Sequence, residues 1–399
     1  MVVLVLTTLG TAFLYRGANE SWLAYRVTSS SAALWAAEAG LQKARWEYNY
    51  NNCAGMTHLD GNTGCNGDKT LAGTLAGYGD YDVTLDSTNT NIGSTASIPS
   101  RTAAKNIQRK VVGVLGKPSI FGFGMFAQGK VTVSNNALVD AYNSTAGAYG
   151  GANVDHVNGS VGSNGTTAGV VEIDNNADVW GNVSTGPGGS VTNTGHVAGS
   201  VTNTNSIALP AVVVPGSLSG LASGGALSVG NNNAYTFNAG DYKYSSINLG
   251  NKSTVTVNGA VRLYLTGDAS HTGIDTGSGQ VKFDITAGSS LIIYTDGTLT
   301  FNNNATVIVA SQKPKDLQIY STYTGPSGLT LENNSSTYAA IYGPQTDVNV
   351  SNNAGLYGAV VGKTTLLNNN GDVHYDTALA TMANPFEGSI ISNWQDVAL

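Results

Sequence analysis

The chain opens on an unbroken run of apolar positions. Residues 1–15, MVVLVLTTLGTAFLY, carry no charge, and the first charged side chain is Arg16. Residues 20–48, ESWLAYRVTSSSAALWAAEAGLQKARWEY, contain no proline and only Gly40, and are dominated by Ala, Leu, Glu, Gln, Lys and Arg. These are good helix formers, so the two stretches predict one long helix, apolar first and amphipathic later. Trp22, Tyr25, Leu34, Trp35, Leu41 and Trp46 give it a broad apolar surface, with Ser29–Ser31 as a soft spot. A helix over the first fifteen residues spans about 22 Å, short of the roughly 30 Å hydrocarbon core that a spanning segment must cross. A secretory signal peptide is the competing reading. Its flanks are wrong: no basic region precedes the apolar run, and no small-x-small cleavage site follows it.

Beyond the helix the period changes. YDVTL at 81–85 and KVVGVL at 110–115 alternate apolar with polar positions and predict strands of a small sheet packed on the helix. Gly116-Lys117-Pro118 marks the end of that piece. From residue 119 one pattern recurs: apolar-x-apolar-x-Asn-Asn-small-x-apolar. It is written VTVSNNALVDAYNS from Val131, VEIDNNADVWGNVS from Val171 and LSVGNNNAYTF from Leu227. It returns as LTFNNNATVIVA from Leu299, LTLENNSSTYAAIYG from Leu329, VNVSNNAGLYGAVVG from Val348 and LLNNNGDVHYD from Leu366. Short strands joined by Asn/Gly corners at such spacing predict a parallel β-solenoid, in which stacked coils merge their Val, Ile and Leu into one core. Asn suits the corners because it tolerates the left-handed conformation, and stacked Asn side chains can hydrogen-bond along the axis. A meandering antiparallel β-sandwich is the alternative.

Composition narrows the function. With 51 Gly, 11% charged residues and a net charge of −7, the surface is polar, weakly acidic and poor in Lys and Arg. Such a surface repels a phosphate backbone, so nucleic acid is not an expected partner. The 41% hydrophobic content argues against disorder. Cys53 and Cys65 flank a Gly- and Asn-rich loop, and His58 alone cannot complete a metal site with them. One local disulfide made outside the cytoplasm is the expectation, two unpaired thiols the alternative.

The helix also carries a resemblance. LVLTTLGTAFLYR followed by ALWAAEAGLQKARWEY is similar to the N-terminus of the PilX-type pilin-like proteins of bacterial type IV pilus systems. The match covers Leu4 to Arg16 and Ala33 to Tyr48, with Ala36-Ala37-Glu38-Ala39-Gly40 as its most specific part. Two departures stand out: Val5 occupies the place where major pilins carry Glu, and the apolar run is short with no Lys/Arg-Gly leader. Either the chain is already processed or its start lies upstream of Met1. Residues 228–379 resemble an uncharacterised β-rich domain found behind such N-termini, through Ile341-Tyr342-Gly343-Pro344, Leu356-Tyr357-Gly358-Ala359-Val360-Val361 and His374-Tyr375-Asp376 with Ala378-Leu379.

The resemblance implies an α+β chain: a pilin-like helix over 1–50, a small β region with the cysteine loop over 51–118, and a mainly-β, right-handed parallel β-helix body over 119–399. It also implies a non-enzymatic structural subunit of an extracellular filament. Copies would polymerise through Met1, Leu4, Leu6, Leu9, Phe13, Leu14, Trp22, Leu34, Trp35 and Glu38. Partners would be the chain itself, other pilin-like subunits and, before assembly, the inner membrane. A minor or tip adhesin is the alternative.

Catalysis finds little footing. His374 and Asp376 would share one face of a strand, but no Gly-x-Ser-x-Gly or other nucleophile motif accompanies them, so an end cap of the solenoid is expected there. A polysaccharide-active enzyme would need clustered basic residues and carboxylates, which 18 Lys and Arg in total barely supply. His156, His196 and His271 are expected at the surface. No cofactor is expected. A structural calcium is conceivable at Asp80 with Asp82, Asp174 with Asp178, or Asp268 with Asp275, none of which matches a known calcium loop.

Overall fold

The structure, a computed structural model, describes residues 2–50, 70–86, 91–104, 106–116, 119–204, 206–276, 279–302, 305–386 and 390–397. The chain divides into two compact units, Met1–Pro118 with Glu387–Leu399, and Ser119–Phe386. The larger unit is therefore inserted into the smaller one. The expected body runs over 119–399, whereas the strand Ile390–Val397 pairs antiparallel with a strand of the first unit.

In that first unit α1 (Val2–Tyr50) is one continuous helix, unbroken at Ser29–Ser31. Four strands follow: β1 (Thr70–Leu75), β2 (Gly79–Leu85), β3 (Asn91–Ile98) and β4 (Ile107–Gly116). They form an antiparallel sheet in sequence order, closed by Ile390–Val397 beside β4. The second half of α1 lies on this sheet. Ala33, Ala36, Ala37, Leu41 and Ala44, spaced at three and four, are fully buried; Val83, Leu85, Ile92, Val111 and Leu115 are buried on the sheet side. Small side chains bring helix and sheet together: a Cβ on Gly40 would stand 2.5 Å from Ser94 Oγ and 2.8 Å from the Tyr81 ring.

The second unit is a parallel stack. Every pairing between its strands is parallel among the described residues, in three columns that enclose one apolar core. The apolar-x-apolar half of the repeat points its ends inward: Val131 and Val133 are fully buried around a half-exposed Thr132, and Val171 and Ile173 do the same around Glu172. At the corners both asparagines are left-handed, with φ of 56 and 58° at Asn135 and Asn136 and 52 and 58° at Asn369 and Asn370. Their amides form ladders. Nδ2 of Asn175 donates to Asn135, Asn135 to Asn369, and Asn369 to Asn352, each at 3.1 Å. A second ladder joins Asn136, Asn370 and Asn353 at 3.3 and 3.1 Å.

Coils do not stack in chain order. The strand Gly355–Asn368 pairs with Ser336–Ser351 on one side and, through Val360↔Met125 and Thr365↔Val131, with the first strands of the unit on the other. Asp372–Asp376 likewise pairs with Leu138–Tyr142. From there the chain winds outward through Val161–Ser163 and Val171–Ile173 to Val191–Asn193 and Val201–Thr202. It then returns as an extended strap to begin again at Ala226–Val229, and winds through 254–368 back to the point of entry. Both stretches advance in the same axial direction, so the stack is a continuous coil whose ends have been permuted.

The strap packs Ile207, Leu209, Val212, Val214 and Leu221 against a buried cluster containing Tyr320 and Tyr342. Asn164 clasps both backbone groups of Ile207, at 2.9 and 2.7 Å, the Tyr342 hydroxyl donates to Pro210 O at 2.6 Å, and Lys243 Nζ donates to Ser219 O at 2.6 Å.

The expected α+β class does not hold. Among the described residues strands far outnumber helix, which makes a mainly-β protein with one long helix. The reason is arithmetic: α1 belongs to the first unit, while each coil of the body adds strands and, among the described residues, no helix apart from Gly216–Ser219 and single 3₁₀ turns.

Candidate functional site

The most unusual surface belongs to α1. Residues 9–28 are exposed throughout, although they include Leu9 (49%), Phe13 (68%), Leu14 (76%), Trp22 (55%) and Leu23 (55%). Tyr15, Tyr25 and Val27 are also exposed. The change comes at Ser29, which is buried, and Ser30, whose hydroxyl accepts from Arg109 Nη1 at 2.9 Å. The serine run is thus where the helix meets its sheet. Contiguous exposed apolar surface of this kind marks an interaction site.

The residues expected to join copies fall into three groups. Leu9, Phe13, Leu14 and Trp22 lie on the exposed half; Met1 is outside the described residues, and Leu4 and Leu6 lie in the helix. Leu34 is half-buried and packs on the sheet core. Trp35 (63% exposed) and the half-buried Glu38 instead line a groove of about 380 Å³ with Ala39, Gln42 and Trp394. Sequence reading missed Trp394, because only the pairing of its strand with β4 brings it to α1. Cys53, Cys65 and His58 lie outside the described residues. Among the described residues no helix is long and apolar enough to cross a membrane.

A buried titratable cluster forms around Asp140 in the body. His374 Nδ1 lies 2.6 Å from Asp140 Oδ1, and the Tyr149 hydroxyl donates to Asp140 Oδ2 at 2.6 Å. Tyr149 packs on the imidazole at 3.8 Å between ring centres, while Tyr357 and Tyr338 continue the column at 4.7 and 4.6 Å. Burial pushes the Tyr149 hydroxyl up, and its hydrogen bond to Asp140 adds to this. Burial also raises the Asp372 carboxyl, opposed by His374 and reinforced by Asp140. Asp376 and Tyr375 serve the backbone: Asp376 Oδ1 accepts from Ser144 N and Ala378 N at 2.9 and 3.1 Å, and the Tyr375 hydroxyl donates to Phe121 O at 2.7 Å. The expected end cap is therefore corrected. These residues sit inside the stack, at the junction between its last coil and its first.

The remaining candidates are engaged or apart. His196 Nδ1 faces Asp178 Oδ1 at 3.3 Å, and Trp180 lies between the rings of His156 and His196. Asp80 and Asp82 are both taken by Arg101, with Asp82 Oδ1 at 2.7 Å from Nη1. A calcium ion does not fit beside that guanidinium. Asp268 Oδ1 caps Ser270 N and Thr272 N. Among the described residues no group of three or more His, Cys, Asp or Glu could hold a metal.

Residues 193–382 match the family described as Domain of unknown function (DUF7305). No curated protein matches the chain. Among solved structures the chain is similar to the competence-associated pilin ComZ from Thermus thermophilus, at 12% identity over 93% of this chain and 98% of that one, with a TM-score of 0.26. A likeness that distant carries no argument about fold or assembly.

Proposed function

We propose that this chain is a structural subunit of an extracellular, pilus-like filament, in which α1 supplies the polymer contact and the parallel stack is displayed. One observation carries the reading: half of a 49-residue helix is docked on its own sheet, while the other half projects Leu9, Phe13, Leu14 and Trp22 into solvent. Covering such side chains is worth roughly 1.5–3 kcal/mol each when burial is complete. The cheapest cover for a projecting apolar helix is more of the same helix. The resemblance of the α1 sequence to PilX-type N-termini supports the same conclusion. The body suits display, since its low charge and asparagine-laddered corners make a polar, rigid surface without demanding a ligand.

Electron microscopy of filaments sheared from the native cells, with mass spectrometry of their main protein, tests this. A regular filament built chiefly of this chain, with helices at its centre, is the expected result. Filaments in which the chain is absent or trace would overturn the reading in favour of a minor or tip subunit.

A further inference from the structure

The charges on α1 do not all balance within one chain. Seven side chains along it are ionisable Arg, Lys or Glu: Arg16, Glu20, Arg26, Glu38, Lys43, Arg45 and Glu47. Arg16 pairs with Glu20 at 3.0 Å and Lys43 with the buried Glu47 at 2.5 Å, and Arg45 is engaged as well. Arg26 and Glu38 remain without an ionic partner among the described residues. They cannot serve each other, because twelve residues of straight helix hold them about 18 Å apart.

Their surroundings are complementary. Arg26 stands on the exposed half of the helix, its guanidinium 4.7 Å from the centre of the Trp22 ring. Glu38 lines the same groove as the indoles of Trp35 and Trp394, and Trp394 is held in place by its Nε1 donating to Ile391 O at 3.0 Å. A groove that offers a carboxyl and two indoles can receive a guanidinium, through a charge-assisted hydrogen bond and cation–π attraction together.

We propose that the groove at Trp35, Glu38 and Trp394 receives Arg26 of a second copy of this chain; this rests on the filament reading above and specifies its contact. Geometry decides the arrangement. Twelve residues turn the helix by about 120° beyond whole turns, so Arg26 and Glu38 lie on different flanks. A twofold pair of helices, which must present both residues on one face, is thereby excluded. Each copy instead offers Arg26 to one neighbour and the groove to another, in a parallel array staggered by about 18 Å. Such a head-to-tail contact does not close on itself and generates a helical polymer.

Charge exchange in the native cells tests the contact. Arg26→Glu and Glu38→Arg should each lower the yield of sheared filaments by about tenfold or more, the equivalent of one lost ionic contact of about 1.4 kcal/mol per interface, and the two together should restore it. The paired change Arg26→Cys with Glu38→Cys, oxidised in intact filaments, should give covalent multimers that neither cysteine variant gives alone. Unchanged yields in the single variants, or no rescue and no multimers while filaments still form, would overturn the contact and leave the filament reading standing. Wild-type filaments lacking the chain would defeat the filament reading itself.

Discussion

Asp140 and His374, 234 residues apart in sequence, lie 2.6 Å apart at the buried junction where the last coil of the stack meets the first. The pair joins two strands that adjoin only because the coil is permuted. Removing one member leaves the other buried with an unmet hydrogen bond, which typically costs about 1–3 kcal/mol. Asp140→Ala and His374→Ala are each expected to destabilise the full chain by that order in urea unfolding. The double variant should cost clearly less than the sum. Strict additivity would show that the pair carries no coupling.

Gly40 tests the docking of α1. An exposed helical Gly→Ala change gains about 1 kcal/mol in propensity. At Gly40 the added methyl would meet Ser94 Oγ and the Tyr81 ring inside contact distance, so the sign should reverse. Gly40→Ala is expected to be mildly destabilising and Gly40→Val to cost about 1–3 kcal/mol. Thermal unfolding of the two variants gives the order directly.

The asparagine corners separate conformation from hydrogen bonding. Asn369 holds φ at 52° while its amide bonds to both Asn135 and Asn352. Asn369→Gly keeps the left-handed backbone and loses the ladder; Asn369→Ala loses the ladder and strains the backbone as well. Ala should therefore be the more destabilising of the two, by about 1 kcal/mol, in denaturant midpoints measured side by side.

Asp372 sets a pH dependence of defined sign. Burial holds its carboxyl above the ordinary aspartate range, so the folded state binds this proton more tightly than the unfolded chain. Its contribution is fully present below the unfolded value and is lost as pH rises through the folded one. Asp372→Asn is thus expected to gain stability relative to the parent at pH 7 and to lose that advantage near pH 3, in urea titrations at both values. Asp241, lowered by its hydrogen bond from Arg262, acts in the opposite sense, its contribution being lost as pH falls.

Much of this architecture was legible in the residues. The helix, two strands of the first sheet (Gly79–Leu85 and Ile107–Gly116) and the Asn-Asn corners follow from local patterns that the structure reproduces, whereas Thr70–Leu75, Asn91–Ile98 and Ile390–Val397 carry no clear alternation. The stacking order did not follow, for a physical reason. Coils built from the same phrase offer each other equivalent faces, so Leu367 could rest on Val133 as readily as on the next coil in sequence. The clue lay between the repeats: ALPAVVVPGSLSG at 208–220 breaks the pattern with two prolines, as a strap returning along the stack would. The groove of Trp35 and Trp394 was illegible because its second indole arrives from the far end of the chain. The α+β expectation failed because it weighed a conspicuous helix against strands that are short but many.

The insertion of the body also bears on how the molecule survives damage. Its entry and exit are clasped to each other, Ser119 Oγ donating to Leu379 O at 2.7 Å and Tyr375 to Phe121 O. The polypeptide crosses between the two units twice, after residue 118 and after residue 386. A protease that nicks one crossing leaves the other as an intact covalent tether. Shedding what is displayed requires two cuts, a redundancy that a domain strung on a single linker lacks.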